Sequence, residues 1–124
     1  MARTVEGDFM TNDGCCGAES PLACDLDAIS ASDRPRYNEL RRMLAAAVAG
    51  KRELADGIAV RISAERMALA QVAEWIAFER KCCPFFEFKV DVAAESGPVW
   101  VSLTGRAGVK EFLAQAFGAG AASL

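Results

Sequence analysis

The chain contains no histidine. That absence removes the Ser-His-Asp and Cys-His nucleophile systems and every zinc site with an imidazole ligand. A general base would have to be a carboxylate, a lysine, the single tyrosine or a thiolate. Charge of one sign is scarce as well: 14 basic and 17 acidic residues leave a net charge of −3. With no basic footprint, neither nucleic acid nor a membrane surface is expected as a partner. Long hydrophobic runs are also missing. The longest, Met43 to Gly50, is Ala-rich and far short of the ~20 apolar residues that span a bilayer. The opening residues, Met1-Ala2-Arg3-Thr4-Val5-Glu6-Gly7-Asp8, have no apolar stretch and do not read as a secretory signal. The expected compartment is therefore the cytoplasm, where thiols stay reduced. No P-loop, G-x-G-x-x-G turn or paired-carboxylate site occurs.

What the chain does have is cysteine. Five occur in 124 residues, an odd number that a closed disulfide framework would leave incomplete. The length suits one domain, and 52% hydrophobic content is enough for a core. Residues 1–31 lack a hydrophobic period and read as an irregular arm that carries three of the cysteines. A single domain is expected over 32–118 and a frayed tail over 119–124.

Within the domain, Tyr37, Leu40, Leu44, Ala47 and Val48 repeat at helical spacing, which predicts a helix over about 33–49. Ser32 is its expected N-cap and Gly50 its C-cap glycine. Asp56-Gly57 predicts a turn before a strand with Ile58, Val60 and Ile62 alternating, with a hairpin arm starting near Arg52. Ser63 is expected to cap a helix over about 64–82. Its wide stripe of Met67, Leu69, Val72, Ala73, Ile76 and Ala77 suggests burial on more than one side. Pro84 ends that helix. Phe86, Phe88, Val90 and Val92 alternate with charges as one strand, and Val99, Val101 and Leu103 mark its antiparallel partner. A last helix over about 107–117 would turn Val109, Phe112, Leu113 and Phe117 inward. The fold class is α+β in the order α-β-α-β-β-α: a small, mostly antiparallel sheet of three to four strands with helices on one face. A split β-α-β unit would place strand 99–104 between the other two.

Two vicinal cysteine pairs stand out: Gly14-Cys15-Cys16-Gly17 and Arg80-Lys81-Cys82-Cys83-Pro84-Phe85. Cys24 follows the first pair. The second pair falls at a helix C-terminus, where the carbonyl end raises a thiol pKa while Arg80 and Lys81 favour the thiolate. Glu79 lies one turn earlier, within reach as a carboxylate ligand. If the arm folds back, Cys15, Cys16 and Cys24 meet Cys82 and Cys83, a donor set for Zn²⁺ or the softer Cu⁺ and Hg²⁺. The competing reading is plain packing, since cysteine also behaves as a small hydrophobe, with one of Cys82 and Cys83 facing the core. Disulfide pairing between arm and domain is the third. Asp25 and Asp27 read as loop solubility residues, the Arg34, Arg36, Arg41 and Arg42 group as a solvated helix face, and the aromatic cluster as core.

The run Glu79-Arg80-Lys81-Cys82-Cys83-Pro84-Phe85-Phe86, followed by Gly97-Pro98-Val99-Trp100-Val101, resembles a family of small uncharacterised bacterial proteins with an E-R-x-C-C-P-F-F motif. Leu22-Ala23-Cys24-Asp25-Leu26-Asp27 and Cys15-Cys16-Gly17 share in the resemblance. It implies a bacterial source and a stand-alone domain, and it carries no activity with it.

The leading expectation is a small cysteine-rich protein that binds a soft or borderline metal for sequestration, transfer or sensing. Its expected ligands are Cys15, Cys16, Cys24, Glu79, Cys82 and Cys83. An enzyme that uses the thiols for redox or organometal cleavage is the first rival. The second is an interaction module that forms a homodimer through its aromatic face.

Overall fold

In the computed structural model, residues 21–118 are described. The arm cysteines Cys15 and Cys16, the Phe117 side chain and the tail 119–124 lie outside the described residues.

Helix α1 spans Arg34–Ala47, with Asp33 at its N-cap and Pro35 in its first turn, where the missing N–H costs nothing. Its N-cap is therefore one residue later than expected. The C-terminus differs more. Val48 leaves the helix at φ −66° and ψ 119°, and strand β1 (Val48–Leu54) begins at once. Gly50 is no C-cap. It sits opposite Arg61, just after the β1 register slips. A β-branched residue followed by a glycine, with a bulge between them, favoured extension over another helical turn.

Strand β2 (Gly57–Ile62) follows the Asp56-Gly57 turn. A Cβ on Gly57 would fall 1.9 Å from the Leu103 carbonyl oxygen, so the turn needs glycine for close approach. After β2 the chain does not enter the helix at Ser63. Residues 64–67 form a turn closed by the Arg66 and Met67 amides on the Ser63 carbonyl, and Met67 is buried as its plug. Helix α2 starts only at Leu69 and ends at Cys82, with Ala68 extended at its N-cap and its amide donating to the Gln71 side chain at 2.9 Å. The buried stripe is narrower than expected: Val72, Trp75, Glu79 and Cys82 face inward, while Leu69, Ala73 and Ala77 are exposed. One residue of that stripe is a carboxylate.

Strands β3 (Glu87–Val92) and β4 (Val99–Thr104) complete a four-stranded antiparallel sheet in the order β1-β2-β4-β3. Strand 99–104 therefore does lie between the other two, and β2, α2 and β3 form a split β-α-β unit. The pairs Ile58–Leu103, Val60–Val101 and Ile62–Val99 put six apolar side chains on the helix-covered face. They meet Leu40 and Leu44 of α1, Val72 and Trp75 of α2, and Val109 and Leu113 of the short α3 (Val109–Leu113) in one core. Each large side chain so buried contributes roughly 1.5–3 kcal/mol. On the other face Arg52 lies 4.0 Å over the Trp100 ring. The last helix is shorter than predicted, because after Leu113 the chain widens into a π turn over Ala114–Gly118. Among the described residues, no helix is long and apolar enough to cross a membrane.

Candidate metal centre

The site is built at the end of α2. Proline at 84 forces Cys83 out of helical geometry, to φ −130° and ψ 74°, although its amide still reaches the Glu79 carbonyl at 2.7 Å. Two adjacent helical residues would point about 100° apart. The kink removes that divergence, and both thiols are buried, Cys82 at 0% and Cys83 at 1% exposure. Only one of the pair was expected to face inward.

The third sulfur comes from the segment before α1. The Asp25 amide donates to the Cys82 carbonyl at 2.9 Å, so this segment supplies the hydrogen bond that the helix end needs. Asp25 then accepts from the Asp27 amide and opens a 3₁₀ turn over Leu26–Ala28, Asp27 pairs with Arg34, and Ile29 plugs the core. Held this way, Cys24 places its Sγ 3.1 Å from that of Cys83, which is itself 3.8 Å from that of Cys82. All three sulfurs lie within 4.8 Å of one another. None is bonded to another: all three are free thiols. Cys24 is exposed, so the cluster runs from the surface into the core. Asp25 and Asp27 serve the turn, as loop residues do.

Glu79 stands beside this cluster rather than within it. Its Oε2 accepts the Tyr37 hydroxyl at 2.9 Å, and both residues are buried. Burial pushes the Glu79 carboxyl above its ordinary range, while the hydrogen bond from Tyr37 and the nearby Arg41 partly offset it. Burial also pushes the Cys82 and Cys83 thiols up, helped by the neighbouring Cys24 sulfur and by Glu79. Burial therefore outweighs any help from Arg80 and Lys81. The cluster favours neutral thiols, and a cation would enter by displacing their protons.

Compared with protein-family models, with curated proteins and with solved structures, the chain finds no match in any of the three. The site must be argued from its own atoms.

Tetrahedral zinc with Zn–S near 2.3 Å needs sulfurs about 3.8 Å apart. The Cys82–Cys83 separation already meets this, and the Cys24–Cys83 contact would open by several tenths of an ångström. Beside the thiols lies a cavity of about 480 Å³, whose walls include Cys24, Cys83, Glu79 and Tyr37. Arg41 and Arg42 line it too. Both are exposed, as expected of a solvated helix face. Arg36 instead forks onto Glu74 at 2.9 and 2.7 Å, tying α1 to α2. The Tyr37 contact with Glu79 was also missed. Its one signal in the sequence is a carboxylate standing at apolar spacing in the Val72, Trp75, Glu79, Cys82 stripe.

Proposed function

We propose that the chain binds a soft or borderline metal ion through the thiolates of Cys24, Cys82 and Cys83, for sequestration, transfer or sensing. The observation that carries this reading is the convergence of three sulfurs from two distant segments. Packing alone gives no reason for an exposed cysteine to lie against two buried ones. Thiolate donors without imidazole suit Zn²⁺, Cu⁺ and Hg²⁺. Glu79 acts as an accessory group, beside Cys83 and able to take a proton or a weak fourth contact when the thiols ionise.

The test is metal titration of the anaerobically reduced protein, read by bound stoichiometry and by thiol protection. One ion per chain with protected thiols is expected, lost in the Cys82→Ser, Cys83→Ser double variant and weakened in Cys24→Ser. Thiols that all react freely after Zn²⁺, Cu⁺ and Hg²⁺ challenge would sink the reading.

The 3.1 Å approach of Cys24 to Cys83 favours one rival, a reversible dithiol. Exchange with an external disulfide would form the Cys24–Cys83 bond and release two carrier thiols. It predicts a thiol count that falls by two on oxidation, returns with dithiothreitol and is indifferent to metal.

A further inference from the structure

A bare ion does not need the space beside these thiols. The cavity, about 480 Å³, falls in the range of small-molecule sites, whereas an ion at thiolate distance occupies only its immediate surroundings. Its walls combine three kinds of group. Cys24 and Cys83 supply sulfur, Trp75 and Leu44 supply apolar surface, and Arg41 and Arg42 supply guanidinium. Arg34 and Arg36 on the same helix are each paired with a carboxylate. Among the described residues neither Arg41 nor Arg42 makes such an ion pair; Arg41 lies over the Tyr37 ring, at 5.7 Å, and acts on the Glu79 carboxyl only through space. Guanidinium forks left open on the wall of a cavity are matched to carboxylates, which they bind bidentately.

We propose that the site receives its metal as an adduct of a small carboxylate-bearing thiol, with the carrier held in this cavity and its carboxylate on Arg41 and Arg42. The proposal rests on the metal reading above and names the form in which the ion arrives. Cys24, the exposed sulfur of these three, reacts first. A metal–sulfur bond to Cys24 forms, one carrier–metal bond breaks, and the Cys24 proton leaves on the departing carrier thiol. Cys83, 3.1 Å away, repeats the exchange and releases the second carrier. Cys82 then closes the coordination from the buried side, its proton passing to solvent. Two protein thiols replace two carrier thiolates, two carrier thiols are released, and the metal keeps its oxidation state.

The experiment presents Hg²⁺ to the reduced full chain as its bis-adduct with N-acetylcysteine, which carries a carboxylate, or with 2-mercaptoethanol, which does not. Transfer is followed by stopped-flow ultraviolet absorbance of the mercury–thiolate bonds. Wild type should take mercury from the carboxylate carrier about tenfold faster, a difference worth about 1.4 kcal/mol. That preference should shrink as ionic strength rises. In Arg41→Gln, Arg42→Gln the two carriers should deliver at equal rates, with circular dichroism confirming the fold. Equal rates in wild type, a preference insensitive to salt, or one that survives the double variant would each overturn the proposal while leaving the metal site intact. Failure of the metal reading looks different, since uptake from either carrier would then be unchanged in Cys82→Ser, Cys83→Ser.

Discussion

Tyr37→Phe takes a single oxygen out of the core and leaves the Glu79 carboxyl without the hydroxyl that faces it at 2.9 Å. Both residues are almost fully buried, at 3% and 6% exposure, so the lost bond is one between two groups largely removed from water. An orphaned buried polar group costs about 1–3 kcal/mol. For a chain of this size, each kcal/mol lowers Tm by roughly 4 °C, so the variant should melt about 4–12 °C below wild type. Glu79→Leu removes the other partner and strands the Tyr37 hydroxyl, and it should cost a similar amount. The double variant is the informative one. With both members of the pair gone, neither is left facing a missing partner, and the two penalties should not add. Urea denaturation of all four proteins under reducing conditions gives the coupling directly. A double variant whose loss equals the sum of the singles within about 0.5 kcal/mol would show that the bond does not organise the site. Tyr37→Phe melting with wild type would refute the reasoning outright.

Gly57→Ala should unfold the protein or cost more than any surface change, because its Cβ would fall 1.9 Å from the Leu103 carbonyl oxygen in the central β2–β4 pairing. Yield of soluble protein and near-ultraviolet circular dichroism check this. Glu74 is held below its ordinary pKa by Arg36, so its contribution to stability is present above the usual carboxylate range and is lost as pH falls through the depressed value. Arg36→Gln should therefore melt below wild type at pH 7, with the gap closing in acid and in 1 M salt. Arg52→Ala uncovers one face of Trp100 and should cost about 0.5–1 kcal/mol, with a red shift in tryptophan emission as the ring meets water.

Most of the fold could be read where local pattern and tertiary role agree. The alternation of Ile58, Val60 and Ile62 and of Val99, Val101 and Leu103 matches the two central strands, because those side chains line one buried face. Failures fall where local signals compete. Gly50 reads as a helix stop, but as part of β1 it pairs with Arg61, because Val48 has already left the helix. Ser63 reads as an N-cap, but the chain spends five more residues plugging the core with Met67 before α2 starts. At the site, the Cys82-Cys83-Pro84 kink and Cys24 could be picked out as residue types. Their meeting could not, because it depends on one backbone hydrogen bond between segments 57 residues apart. In sequence Glu79 stands out by its distance from the cysteines, while its burial in the apolar stripe shows only in the fold. Arg41 and Arg42 look the same in sequence as Arg34 and Arg36, and only tertiary structure separates the paired from the open.

That one backbone bond, Asp25 amide to Cys82 carbonyl, makes the closing of the helix and the assembly of the thiols a single event. If the segment lifts, α2 loses a terminal hydrogen bond and Cys24 leaves the cluster together. An ion bridging Cys24 to the helix would hold the same segment down, so occupancy of the site becomes protection of one peptide proton. The hydrogen–deuterium exchange rate at Asp25 would then report from the backbone whether the sulfurs are engaged.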